Sequence, residues 1–151
     1  AEALSIRAFC HFDILRLFGP MPTNLPSAAI LPYVKSVSTT PNSKITYDEY
    51  TTHLLNDLQE AEDLFEDNDP ICTYSIERLN SPSFMEDSYW GYRQMRMNYY
   101  AVCATKARLY LWLGNKTDAL KYAKIVMNAK DNTDNKMYRL GNSDDCAKIF
   151  L

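Results

Sequence analysis

The sequence predicts an all-α protein: two helical hairpins that carry long irregular insertions. Three observations lead there. Apolar residues recur at three- and four-residue spacing in four separate stretches, the period of a helix packed along one side. No stretch alternates apolar and polar residues for long enough to compete as a strand. Five of the seven prolines fall at positions 20, 22, 26, 32 and 41, between helical stretches rather than inside them.

Residues 3–18 predict the first helix, with Leu4, Ala8, Ile14, Leu15 and Phe18 in helical phase and Gly19-Pro20 as its stop signal. Nearly every face carries something apolar, so this helix is expected to be sandwiched. Residues 20–45 exclude helix, yet the clusters Ala28–Leu31 and Tyr33–Val34 predict an ordered loop packed on the helices. A loop of this length is uncommon without a task or a partner. The second helix starts at Thr46, which forms a capping box with Glu49, while Ile45 and Tyr50 can close a hydrophobic staple. Tyr50, Leu54, Leu58, Ala61 and Phe65 then make a buried stripe. It ends near Phe65, in an acidic run before Pro70, and residues 68–92 form a second irregular segment.

The stretch YYAVCATKARLYLWLGNKTDALKYAKIVMNAK, residues 99–130, reads as a helix, a tight turn at Gly114 and a second helix. Ala101, Ala104 and Ala107 face Ala119 and Ala123 across that turn, and Tyr110 and Tyr122 can fill the flanks. The third helix is expected over about 94–113, and the fourth runs to Ala129 from an N-cap at Thr117, with Asp118 favoured by the helix dipole. Small residues across a glycine turn are the core of a tetratricopeptide-like hairpin, a unit that stacks into an α-α superhelix. The chain is thus expected to form one partial helical-repeat domain over 1–151. Hairpin one covers about 3–66 with its insertion at 20–45, and hairpin two covers about 94–130.

Composition narrows the function. With 46% hydrophobic and 23% charged residues, the chain belongs with folded globular proteins rather than disordered ones. A net charge of -3 without a basic stripe argues against nucleic acid. No apolar run approaches the roughly 18 residues of a membrane span. The four cysteines, at 10, 72, 103 and 146, lack metal-ligand spacing and are expected as free thiols, Cys10 and Cys103 as small buried hydrophobes. Ala1 already belongs to a helical pattern and 146–151 look like the first turns of another element, so the chain reads as a piece of a longer protein.

Candidate sites are few. His11 and His53 lie on different helices without a nucleophile elbow beside them, so a hydrolase is disfavoured and both read as core or surface histidines. An EF-hand loop counted from Asp67 would place Cys72 where glycine is needed and Arg78 where the bidentate glutamate is needed, so the acidic run reads as a solvated helix end. Arg93, Arg96 and Arg108 are expected to pair with the acidic second helix. Tyr89, Trp90 and Tyr92 cluster in a loop before the third helix and, with Tyr74, are the rings able to stack on a ligand. No cofactor or metal is called for.

EALSIRAFCHFDILRLFGPMP (residues 2–22) resembles a signature of the SusD/RagB family, an Arg-Ala-aromatic helix ending in Leu-Phe-Gly before a proline-containing segment. WGYRQMRMNYYAVCATKARLYLWLGNKTDALKYAKIVM (residues 90–127) is similar to the second: an arginine ahead of an alanine-rich helix, then Ala-Arg-x-Tyr-Leu, a glycine turn and an alanine-rich partner. Both occur in the expected order around a capped helix. Residues Met97–Tyr100 are bulkier than the family's usual small residues, and the resemblance spans only part of a typical member. It implies a tetratricopeptide-like fold and a lipoprotein on the extracellular face of the Bacteroidetes outer membrane, held there only by its lipid anchor. Such proteins capture glycans or other nutrients, without catalysis, for a SusC-like TonB-dependent transporter, and the helices are mainly scaffold. Cys10 lies inside a helix and does not correspond to the lipidated cysteine. The competing reading is an intracellular tetratricopeptide adaptor for peptide tails, which short turns and tandem repeats of about 34 residues would favour.

Overall fold

The computed structural model describes residues 1–81 and 91–138. They form an all-α fold: α1 (Glu2–Phe18), α2 (Tyr47–Glu66), the single turn α3 (Ile76–Leu79), α4 (Tyr99–Trp112) and α5 (Lys116–Met127). Short 3-10 turns lie at Pro70–Cys72 and Arg93–Met95. Among the described residues the only extended pairings are two isolated bridges, Leu31 with Ile45 and Lys130 with Lys136. No helix among them is long and apolar enough to cross a membrane.

Side-chain pairings give the helix order. Arg7 meets Asp57 and the Tyr50 hydroxyl meets the His11 carbonyl, so α1 and α2 are antiparallel. Lys106 meets Gln59 and Glu62 while the Tyr99 amide meets Asp69, so α4 runs antiparallel to α2 in turn. Phe12 packs edge-on against Trp112, and Phe9 lies beneath Arg108, which sets α1 and α4 side by side in one direction. The main core fills the space these helices enclose, with Phe12, Leu15, Tyr50, Leu54, Leu58 and Leu109 at its centre. A smaller cluster of Ile71, Leu79, Ala129 and Met137 seals the other end, under Tyr99, Tyr100 and Tyr138.

The helix ends are chemically specified. Thr46 accepts from the Glu49 amide while the Glu49 carboxylate accepts from the Thr46 amide, the capping box that the sequence announces. Thr46→Ala is expected to cost about 0.5–2 kcal/mol in urea unfolding; an unchanged midpoint would show the cap to be idle. Gly19 stops α1 by close approach rather than by a left-handed turn. Its φ is -86°, and a Cβ there would stand 2.5 Å from the Leu15 carbonyl oxygen. Gly114, at φ +79°, does take the left-handed conformation. Its amide bonds Leu111 O at 3.1 Å and the next amide bonds Tyr110 O at 2.9 Å, a Schellman closure of α4.

Several expectations are corrected. The fourth helix starts from Asn115, whose side chain accepts from the Asp118 amide, and not from Thr117. Residue 115 thereby closes one helix and opens the next. The third starts at Tyr99, capped by Asn98, because Arg93–Met95 form a separate 3-10 turn before it. The irregular stretch after Phe65 holds a turn of helix, α3, capped by Ser75. Among the described residues α1 is not sandwiched: Leu17 and Phe18 are each 74% exposed. Cys103 is buried as expected, Cys10 is exposed, both are free, and Cys146 lies outside the described residues. The alanine seam is half closed: Ala107, Ala119 and Ala123 all line an open groove, and of the three only Ala119 is buried; Tyr110 and Tyr122 stack beside it at 5.6 Å.

Candidate functional site

Of the four aromatic residues singled out as ligand contacts, Tyr89 and Trp90 lie outside the described residues. Tyr92 is half exposed, with its backbone in the left-handed region at φ 52°. An L-residue other than glycine, asparagine or aspartate is uncommon there, so its surroundings must hold it. The neighbouring Arg93 does so. Its guanidinium is buried over the Phe65 ring and donates from Nε and Nη2 to both oxygens of Asp69, at 2.8 and 3.0 Å. Asp69 accepts also from the amides of Ile71 and Tyr99. Two protein segments are thereby tied together, and Gln94 donating to Asn80 adds a second tie. Tyr74 and Tyr92 thus stand on adjacent segments that share one anchor.

The loop after α1 has its own anchor. Asp57 accepts two hydrogen bonds from Arg7, each 2.7 Å, and one from the Tyr33 hydroxyl at 2.6 Å. Tyr33 stacks on His11 with ring centroids 4.1 Å apart. The Val34 amide donates to His11 Nε2, so the proton of the neutral ring sits on Nδ1, which donates to the Arg7 carbonyl. With Ile30 and Ile45 paired through the backbone, residues 30–35 are stitched onto the α1–α2 hairpin. Burial pushes the Asp57 carboxyl up, but the hydrogen bonds from Arg7 and Tyr33 outweigh it and hold it below the ordinary value of 3.8. Burial likewise raises the Tyr33 hydroxyl well above its usual range, with Asp57 adding to the effect.

A depressed carboxyl stabilises the fold above the unfolded value and loses that contribution as pH falls through the folded one. Asp57→Asn is therefore expected to be about 1–3 kcal/mol less stable than the parent at pH 7. The gap should narrow as pH drops below about 3.8. Denaturation at a series of pH values would show it, and a gap independent of pH would remove Asp57 from the account.

The third polar centre lies between α2, α4 and α5. The Lys106 ammonium is buried and donates to Glu62, to Gln59 at 2.7 Å and to the Tyr122 hydroxyl at 3.0 Å. All three of its protons are used within the protein. The acidic run is accordingly not a solvated helix end throughout: Glu62 and Asp69 are buried partners of Lys106 and Arg93. Arg93 pairs with Asp69, just past the end of α2, and also reaches Glu2 of α1 at 3.6 Å. Arg96 and Arg108 instead face Glu2 and Asp13 of α1. No group of three or more metal-ligating side chains forms among the described residues.

Asp57, Glu62 and Lys106 were missed as buried groups because a charge is read as surface by default. Their phase was the available signal. Asp57 sits three residues after Leu54, and Lys106 lies three from both Cys103 and Leu109, inside the apolar stripes. Comparison with protein-family models finds no match, and comparison with curated proteins finds none.

Proposed function

We propose that this chain is the helical scaffold of a nutrient-capture protein of the SusD/RagB kind, working without catalysis beside an outer-membrane TonB-dependent transporter. The observation that carries the reading is where the resembling residues lie. Arg7 of the first motif clamps Asp57 and Gly19 ends α1 where a Cβ would collide. In the second motif Arg93 clamps Asp69, and Gly114 closes α4. The resemblance therefore rests on residues that hold a frame. The long connections between the main helices are tied to that frame at defined anchors, Tyr33 on Asp57 after α1 and Arg93 on Asp69 before α4, which suits a protein whose ligand contacts lie on loops.

A sugar site needs several convergent polar and aromatic groups held rigidly. In this reading Tyr89, Trp90, Tyr92 and Tyr74 contribute rings, and the rest of the site comes from elsewhere in a longer protein. Calorimetry with an oligosaccharide panel tests it on the full-length protein and on this segment. The full-length protein is expected to bind at least one glycan, the segment much more weakly, and the transporter is expected to co-purify from the outer membrane. Tight binding by the segment, lost in Trp90→Ala, would make it a binding module rather than a scaffold. Failure of the full-length protein both to bind any nutrient and to retain a transporter would overturn the reading.

A further inference from the structure

A cleft of about 600 Å³ opens where the C-terminal ends of α1 and α4 lie side by side. Phe12 and Trp112 form its floor, and Met21 and Leu111, 59% and 62% exposed, stand on its rim. Two guanidiniums flank it, those of Arg16 and Arg108, each resting 5.7 Å from the centroid of the Phe12 ring. Arg108 and Leu111 also belong to a second groove, of about 340 Å³, between α4 and α5. That groove has an alanine floor of Ala107, Ala119 and Ala123, with Leu120 as a wall and Lys116 at its end. The two concavities therefore adjoin along one face.

We propose that this face docks an extended or helical segment of another protein in which carboxylates alternate with bulky apolar side chains. Charge carries the choice of occupant. Every ionisable side chain lining the two grooves is a cation, Arg16, Arg108 and Lys116, in a chain whose net charge is -3. Asp13 is the carboxylate facing the arginines, 3.0 Å from Arg16 and 3.9 Å from Arg108, and it offsets one of the charges. The stacked guanidiniums are pre-oriented, which lowers the ordering cost of a carboxylate contact. The alanine floor lets a partner backbone come close, and the exposed Met21, Leu111 and Leu120 form an apolar patch of the kind that marks interaction sites. An elongated face with cations spaced along it fits a chain segment better than a compact ligand. The inference does not depend on nutrient capture.

The test uses the whole 151-residue chain and two fluorescein-labelled peptides, one alternating glutamate with leucine and phenylalanine, the other with lysine for every glutamate. Fluorescence anisotropy is expected to show binding of the acidic peptide only, weakening as salt rises. Arg108→Glu and Lys116→Glu should each weaken it tenfold or more, while Lys130→Glu, outside both grooves, should leave it unchanged. Circular dichroism confirms that each variant folds, and Lys116→Glu carries the test if Arg108→Glu does not. Equal binding of the lysine peptide, no binding of either, or indifference to both reversals would overturn the proposal. So would a concentration-dependent dimer in sedimentation that Lys116→Glu abolishes, since the occupant would then be a second copy of this chain.

Discussion

Asp69→Ala is expected to lower the unfolding free energy by about 3–5 kcal/mol, the cost of removing the bidentate partner of a buried charge. Asp69 accepts four hydrogen bonds, two from Arg93 and one each from the amides of Ile71 and Tyr99. Both side chains of the ion pair are essentially excluded from water, at 2% exposure for Arg93 and 0% for Asp69. Alanine would strip the guanidinium of its nearest counter-ion, unpin the start of α4 and uncap the turn at Pro70–Cys72. Because the buried guanidinium would then be left with a longer contact to Glu2, at 3.6 Å, beside its bond to the Met97 carbonyl, Asp69→Ala/Arg93→Met should recover a good part of the loss. Chemical denaturation of the two variants decides: a loss under about 1 kcal/mol in the single variant would mean that water reaches Arg93 freely.

The second large effect is an asymmetry at the Lys106–Glu62 pair. Glu62→Leu should cost about 3–5 kcal/mol, since the buried ammonium keeps only the neutral Gln59 and Tyr122 oxygens. Lys106→Met should cost less, because the Glu62 carboxylate is 11% exposed against 1% for the lysine and can draw on water. The double variant should approach the parent, as buried pairs exchanged for packed apolar groups often do. A double-mutant cycle measures the coupling directly. Equal losses from the two single changes would refute the difference in desolvation on which the asymmetry rests.

Two of the anchors bear on the proposed function through the loops. Asp69–Arg93 ties residue 69 to residue 93, and Asp57–Arg7–Tyr33 ties residue 33 of the loop after α1 to the helices. Under the proposed function, loosening either anchor should disturb loop-borne ligand contacts before it unfolds the helices.

The helices and their caps were legible because they are local. Thr46 with Glu49 is a reciprocal bond across three residues, the stripe from Tyr50 to Phe65 repeats with the helical period, and Gly114 supplies the positive φ that a Schellman turn requires. Each of these needs only neighbours in the chain, so the residue types alone determine an all-α protein with breaks at Gly19, Thr46 and Gly114. The packing partners are not local. Asp57 bonds a residue 50 positions away in Arg7, and Lys106 bonds one 44 positions away in Glu62. Whether such a charge is solvated or buried depends on which helix arrives opposite it, and nothing in the local sequence encodes that arrival. The starts at Tyr99 and Asn115 were decided in the same way, by competition between caps that the Asp69–Arg93 clamp and the tight turn resolved. Tertiary structure also showed that Ala107, expected in the seam between two helices, lines an open groove together with Leu111 and the cations Arg108 and Lys116.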